Sequence, residues 1–195
     1  MKKSLVFLIA ALTGSTLFSQ SVAAQNVWTS DPNHSKLAFS ITHLGISDVD
    51  GSFDKFVATA TSSKADFSDA VFDLSVEVAS INTHVEMRDK HLRSADFFDV
   101  ETYPTMTYKS STIKKVADNK YQLTGNLTLH GVTKQVTMDL WYRGTIENDK
   151  TKAKTSGFQL TGTIKRSDFG IGPKFAAPML SDEVKIKADG EFKQK

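Results

Sequence analysis

Apolar and polar residues alternate along most of this chain with a period of two, the pattern of strands that bury one face and wet the other. Leu37, Phe39 and Ile41 interleave with Lys36, Ala38, Ser40 and Thr42, and Leu74, Val76 and Val78 interleave with Asp73, Ser75 and Glu77. Tyr121 to Leu129 and Val136 to Tyr142 keep the same rhythm on either side of Gly131, which predicts a hairpin. Phe158, Leu160, Gly162 and Ile164 predict one more strand, and Val184, Ile186, Ala188, Gly190 and Phe192 another, with weaker strands over 49–59 and 105–111. The sum is about eight strands.

The rhythm breaks between Thr83 and Ser94. A capping box of Thr83 and Glu86 opens this stretch, and the opposite charges Glu86/Lys90 and Asp89/Arg93 follow four residues apart. These signals predict one main helix over about 83–94. Phe97-Phe98 and Pro104 then return the chain to a strand.

Antiparallel strands with one apolar face each predict an all-β fold, best satisfied by an eight-stranded barrel, because closure leaves no sticky edges. A two-sheet sandwich is the alternative. Long strands favour the barrel, as do Gly125, Gly162 and Gly190 on the apolar parity, where a missing side chain permits bending or leaves room. At eight strands an interior is either just filled or holds one small ligand.

Composition narrows the class. The 195 residues are 39% apolar and 24% charged, with no Cys, as in an ordinary globular domain held by its own core rather than by disulfides. Residues 1–24 read as a secretory signal: Lys2 and Lys3, an apolar run from Leu5 to Leu12, and the small residues Val22-Ala23-Ala24 before Gln25. Cleavage near Ala24 leaves one domain over 25–195, in the periplasm. The apolar run is far short of the ~20 residues that span a bilayer, so no stable membrane insertion is expected. The net charge of +2 comes from Lys2 and Lys3, since no acidic residue precedes Gln25, and the rest carries 22 charges of each sign. A neutral domain has no electrostatic footprint for nucleic acid.

The motifs that carry chemistry are sparse. His34 and His43 lie nine apart and His84 and His91 seven apart, with no HxxxH or HExxH, so no metal site is predicted. No GxSxG elbow occurs, and Asp31, His34 and Ser35 crowd into one Pro-containing turn. Gly170-Ile171-Gly172 lacks the third Gly of a phosphate cradle. His43 shares parity with Leu37, Phe39 and Ile41 and points inward at a strand end, as a hydrogen-bonded core residue or as a contact for a ligand's polar end. Arg88, Asp89, His91, Arg93, Asp96 and Asp99 read as an ion-pair and capping network that fixes the helix on the barrel.

Five blocks share a wider likeness: Asp31-Pro32-x-His34-Ser35-x-Leu37-x-Phe39-x-Ile41-x-His43-Leu44-Gly45 with Gly51-x-Phe53; Ser80-Ile81-x-Thr83; Arg88-Asp89-x-His91-Leu92-Arg93-Ser94-x-Asp96-Phe97-Phe98-Asp99 with Tyr103-Pro104; Gly125-x-Leu127-Thr128-Leu129-His130-Gly131-Val132-Thr133-Lys134; and Arg166-Ser167-Asp168-Phe169-Gly170. Together they resemble the YceI-like family of secreted, lipocalin-like proteins nearly end to end over the mature chain. The resemblance implies an extended antiparallel barrel with helical elements near its mouth and a lumen that binds a polyisoprenoid chain, an isoprenoid quinone or a fatty amide. It also implies a periplasmic or secreted location and no established catalytic activity. Parity then assigns the lining: Leu37, Phe39, Ile41 and His43 on one strand, Leu74 and Val76 on the next, and Leu127, Leu129, Met138 and Leu140 on the hairpin. Phe158 and Leu160 follow, with Phe97, Phe98, Met106 and Tyr108 near the helix; Val78, Leu123 and Ile164 share the inward parity. Two other functions would use the same surface: an enzyme with His43 and Arg88, Asp89 and His91 as acid and base on a bound lipid, or an adaptor for a membrane redox partner. A homodimer is compatible with all three.

Overall fold

The structure, a computed structural model, describes residues 25–195; the proposed signal segment 1–24 lies outside the described residues. Ten strands close into one antiparallel barrel: β1 (Asn26–His43), β2 (Ser47–Phe53), β3 (Phe56–Ser62), β4 (Val71–Glu77), β5 (Ile81–Asn82), β6 (Thr105–Ala117), β7 (Lys120–Leu129), β8 (Val132–Glu147), β9 (Lys154–Lys165) and β10 (Leu180–Gln194). They make eight staves. β2 and β3 are one stave interrupted at Asp54 and Lys55: β2 pairs with the C-terminal part of β1, from Leu37↔Phe53 to His43↔Ser47, and β3 with its N-terminal part, from Asn26↔Ser62 to Thr29↔Thr59. A 3₁₀ turn, Val78–Ser80, joins β4 to β5, which pairs with β2. β6 to β10 run up and down, and β10 pairs back onto β1 along nearly its whole length.

Period-two patterning reappears as burial. On β7, Tyr121, Leu123, Leu127 and Leu129 are buried while Gln122 and Asn126 are exposed. Outward positions carry Lys, Asp, Thr and Gln, the reverse of the apolar outer band of a membrane barrel. The inward glycines turn out to be filled by neighbours rather than vacant. A Cβ on Gly162 would lie 2.1 Å from Met138 Sδ, and one on Gly125 2.4 Å from the Lys109 carbonyl oxygen and 2.7 Å from the Tyr108 ring.

Two local expectations are corrected. The helix, α1, is shorter than 83–94: it spans Glu86–Arg93, with Val85 at its N-cap and no side-chain cap. His84, at φ 61°, turns the chain before the helix can begin, and its N–H is taken by Asn82 Oδ1 at 2.9 Å. The capping box therefore does not form; the Thr83 N–H and hydroxyl instead donate to the buried Asp89 carboxylate at 2.8 and 2.5 Å. Arg93 does not pair with Asp89 either, because its guanidinium donates to the carbonyls of Ala79 and Ile81 at 2.7 and 2.8 Å, tying α1 to the β4–β5 stave. The second correction concerns the Pro-containing turn at Asp31, which is a bulge inside β1: its register with β10 slips between Ser30 and Ser35. Asp31, buried there, accepts from the Asn33 N–H at 3.0 Å and from Lys193 Nζ at 2.7 Å, and pairs with His34 Nδ1 at 2.9 Å.

One end of the barrel is sealed by the 63–70 segment, which crosses from β3 to β4. Phe67, at φ 57°, drives its ring into the interior between Trp28, Tyr142 and Phe158, with ring centroids 5.4, 5.0 and 4.9 Å away. The Tyr121 hydroxyl donates to the Asp66 carbonyl at 2.5 Å. Asp69 gathers the rest of the segment, accepting from the hydroxyls of Ser62 and Ser63, both at 2.5 Å, and from the N–H groups of Ser63 and Lys64. Burial pushes this carboxyl up, but the four donors outweigh it and hold it at about 2. A carboxyl depressed on folding stabilises fully above its ordinary value near ~3.9 and progressively less as pH falls through its folded value. Urea unfolding of the wild-type protein is therefore expected to show a loss of about 1–2 kcal/mol between about pH 4 and 2, after allowance for solvent screening, that Asp69→Asn lacks. Parallel pH profiles for the two proteins would contradict this.

Candidate functional site

Above the floor lies a cavity of about 460 Å³, within the range of small-molecule sites. Phe72, Phe158 and Phe192 form its base, the Phe158 ring standing 5.3 Å from Phe72 and 5.1 Å from Phe192. Its walls are apolar because every stave turns one parity inward. Leu37, Phe39 and Ile41 come from β1, Leu74 from β4, Met106 and Tyr108 from β6, Leu127 and Leu129 from β7, Met138 and Leu140 from β8, and Leu160 from β9. Leu123 and Ile164 line it too. Val76 and Val78 do not: Val76 shares the parity but is fully buried between its strand partners Phe56 and Met106, and Val78 lies in the 3₁₀ turn, off the strand.

Other wall positions escaped the sequence reading. Val184, Ile186 and Ala188 on β10 complete the wall against β1 and β9, and their alternation was the signal. Phe175 and Met179 close in from the segment between β9 and β10, where no period marks them, and Leu180 from the first position of β10.

The end opposite the floor is the mouth. There the lining includes His43 at the end of β1, Arg88 and His91 on α1, and Phe97 and Phe98 just beyond it. Arg88 donates to the Thr83 hydroxyl and carbonyl at 2.7 and 2.8 Å, and Thr83 in turn holds Asp89. Both Thr83 donors fall on Asp89 Oδ1, so this carboxylate ties the turn before α1 to the helix. His91 stands edge-on to Phe97 at 5.0 Å and lies 3.4 Å from Asp96, which also holds Lys174 at 2.7 Å. The Lys174 ammonium, with His91 second, keeps the Asp96 carboxyl below the usual range. Phe97 and Phe175 stack at 4.8 Å, so this wall of the mouth is aromatic.

Arg166 is buried behind it. Its guanidinium donates to the carbonyls of Ser181, Ile171, Gly172 and Leu180 at 3.0, 2.9, 2.7 and 3.3 Å and to that of Phe175, clamping the 171–181 segment. Deeper in, burial pushes the Tyr108 hydroxyl up to about 12, so it stays neutral and donates to the Leu123 carbonyl at 3.2 Å. The site thus offers a blind apolar tube with a basic and aromatic rim, suited to a long chain with one polar end.

Among the described residues, one group approaches metal-ligand geometry, Asp31, His34 and Glu191, with ligand atoms within 4.8 Å of one another. It spans the β1 bulge and the facing strand β10, and Lys193 already supplies a cation to Asp31.

The profile of the YceI-like domain matches residues 28–192. A relative, UPF0312 protein SA2479 of Staphylococcus aureus (strain N315), is 37% identical over 169 residues, covering 85% of this chain and 96% of its own. The crystal structure of BcnA from Burkholderia cenocepacia superposes with a TM-score of 0.73 at 29% identity, covering 83% of this chain and 98% of its own. A polyisoprenoid-binding domain from Saccharophagus degradans shares the fold with a TM-score of 0.61 at 18% identity, over 86% of this chain and 97% of its own. With nearly every described stave inside the matched span, the chain belongs to the YceI-like family.

Proposed function

We propose that this protein holds a polyisoprenoid chain, such as that of an isoprenoid quinone, or a similar long amphiphile in its barrel, for transport, storage or sequestration and without catalysing a reaction on it. The observation that carries this reading is the blind apolar cavity of about 460 Å³, open at an end rimmed by His43, Arg88 and His91. Each CH₂ moved from water into such a lumen contributes ~0.8 kcal/mol, so two five-carbon units contribute several kcal/mol before ordering costs are subtracted. The fold likeness to a polyisoprenoid-binding domain supports the same ligand class. The signal-like residues 1–24 support action in the periplasm after their removal.

Organic extraction of the purified protein followed by mass spectrometry tests this. A stoichiometric long-chain lipid is expected. Ala188, which faces the lumen between Leu37 and Leu160, gives the companion variant. Ala188→Phe places a ring in existing space, so the extracted lipid is expected to fall at least about tenfold with the unfolding midpoint little changed. Wild-type protein that yields no long-chain species and takes up no added isoprenoid quinone would refute the reading.

A further inference from the structure

Large apolar side chains stand exposed on the three segments that frame the mouth. Leu44 and Ile46 occupy the β1–β2 turn, Val85 and Met87 the start of α1, and Met179 the segment before β10; Ile46 and Met87 are each 85% exposed. They are continuous with the lumen. His43 beside Leu44, Arg88 beside Met87, and Met179 itself all line the cavity, and the Leu44 N–H donates to the Met179 carbonyl at 3.0 Å, joining two of the three segments. A water-facing Ile or Met gains nothing for the isolated barrel.

We infer that the mouth docks on a lipid bilayer surface, inserting these side chains so that cargo passes between membrane and lumen without crossing water. This rests on the carrier reading above. The occupant is argued from the arrangement. The apolar groups rise from three different segments, with Gly45 between Leu44 and Ile46 and Glu86 between Val85 and Met87, whereas a protein partner or a second copy favours a contiguous core that packs closely. A fluid interface admits each projection independently, as it does the apolar face of an interfacial helix. Exposed Lys90 and Lys174 stand on the same framing segments, beside Glu86 and Asp96, so the rim suits lipid head groups without a strong demand for net charge. Insertion of apolar groups, unlike attraction to an anionic surface, is little screened by salt.

The test is flotation of residues 25–195, which contain the whole closed barrel, with vesicles of phosphatidylethanolamine and phosphatidylglycerol at a ratio of about three to one. The wild-type protein is expected to float, with the bound fraction changing less than about twofold when salt is raised from about 0.1 to 0.5 M. Ile46→Asp with Met87→Asp is expected to lower that fraction at least about fivefold while leaving the unfolding midpoint unchanged, because both positions are water-facing. Wild-type protein that stays at the bottom of the gradient overturns the docking inference, as does equal flotation of the double variant. A dimer in sedimentation that the double variant dissolves, without flotation, assigns the rim to a second copy and also overturns it. Lipid extraction on the same preparations separates the two ideas: loaded protein that does not float removes docking alone, and floating protein with an empty lumen removes the carrier reading alone.

Discussion

Replacing Phe67 by Ala is expected to destabilise the protein by about 3–5 kcal/mol, the usual cost of deleting a fully buried aromatic ring. The ring is 1% exposed and meets Trp28, Tyr142 and Phe158 within 5.4 Å, so its loss leaves a cavity that these rings, anchored on separate strands, cannot close without moving their backbones. It also removes the centre of the floor. In urea unfolding the midpoint should fall by roughly 1–3 M at an ordinary slope for a domain of this size. Val57→Ala, at an outward position that is 55% exposed, serves as the control and should shift it hardly at all. A Phe67→Ala midpoint as close to wild type as the control's would mean that the floor is held by Asp69 and Tyr121 rather than by the aromatic cluster.

The second large effect is expected at Arg166. Its guanidinium is the shared donor for five carbonyl groups of the 171–181 segment, and Arg166→Met leaves all of them without it. An orphaned buried acceptor costs about 1–3 kcal/mol; because part of this segment can turn to water, a total of about 3–5 kcal/mol is expected rather than the full sum. Arg166→Lys should recover little, since an ammonium offers three donors from one point and cannot reproduce a planar fork. The loss is local as well as global. Hydrogen exchange at the amides of Ile171, Phe175 and Met179, which bond to the carbonyls of Arg166, Gly172 and Ala176, should quicken at least about a hundredfold. Unchanged protection there would show that the segment holds itself without the arginine.

The sequence carried the barrel because inward and outward positions alternate with the pleat, and a closed barrel leaves every stave the same choice of faces. Leu37, Phe39 and Ile41 follow that rule to the cavity wall. Val76 follows it too and still misses the cavity, since parity tells which side of a strand a residue faces and not whether open space lies behind it. The capping box at Thr83 was a local signal that lost to a tertiary one: Asp89 needed donors in a buried place, and Thr83 supplied them. At Asp31-Pro32-Asn33 the residues that favour a turn also suit a bulge, and only pairing with β10 distinguishes the two. Phe175 and Met179 left no trace in any periodicity, because an irregular segment is placed by its clamp and not by a repeating pleat.

The floor built around Phe67 makes the lumen a cul-de-sac. On the carrier reading proposed above, a chain that slides in leads with its oily tail and must back out through the same doorway, so loading and unloading take turns and never run as a flow. Depth then acts as a yardstick: a chain longer than the tube gains nothing more from it and leaves its surplus outside.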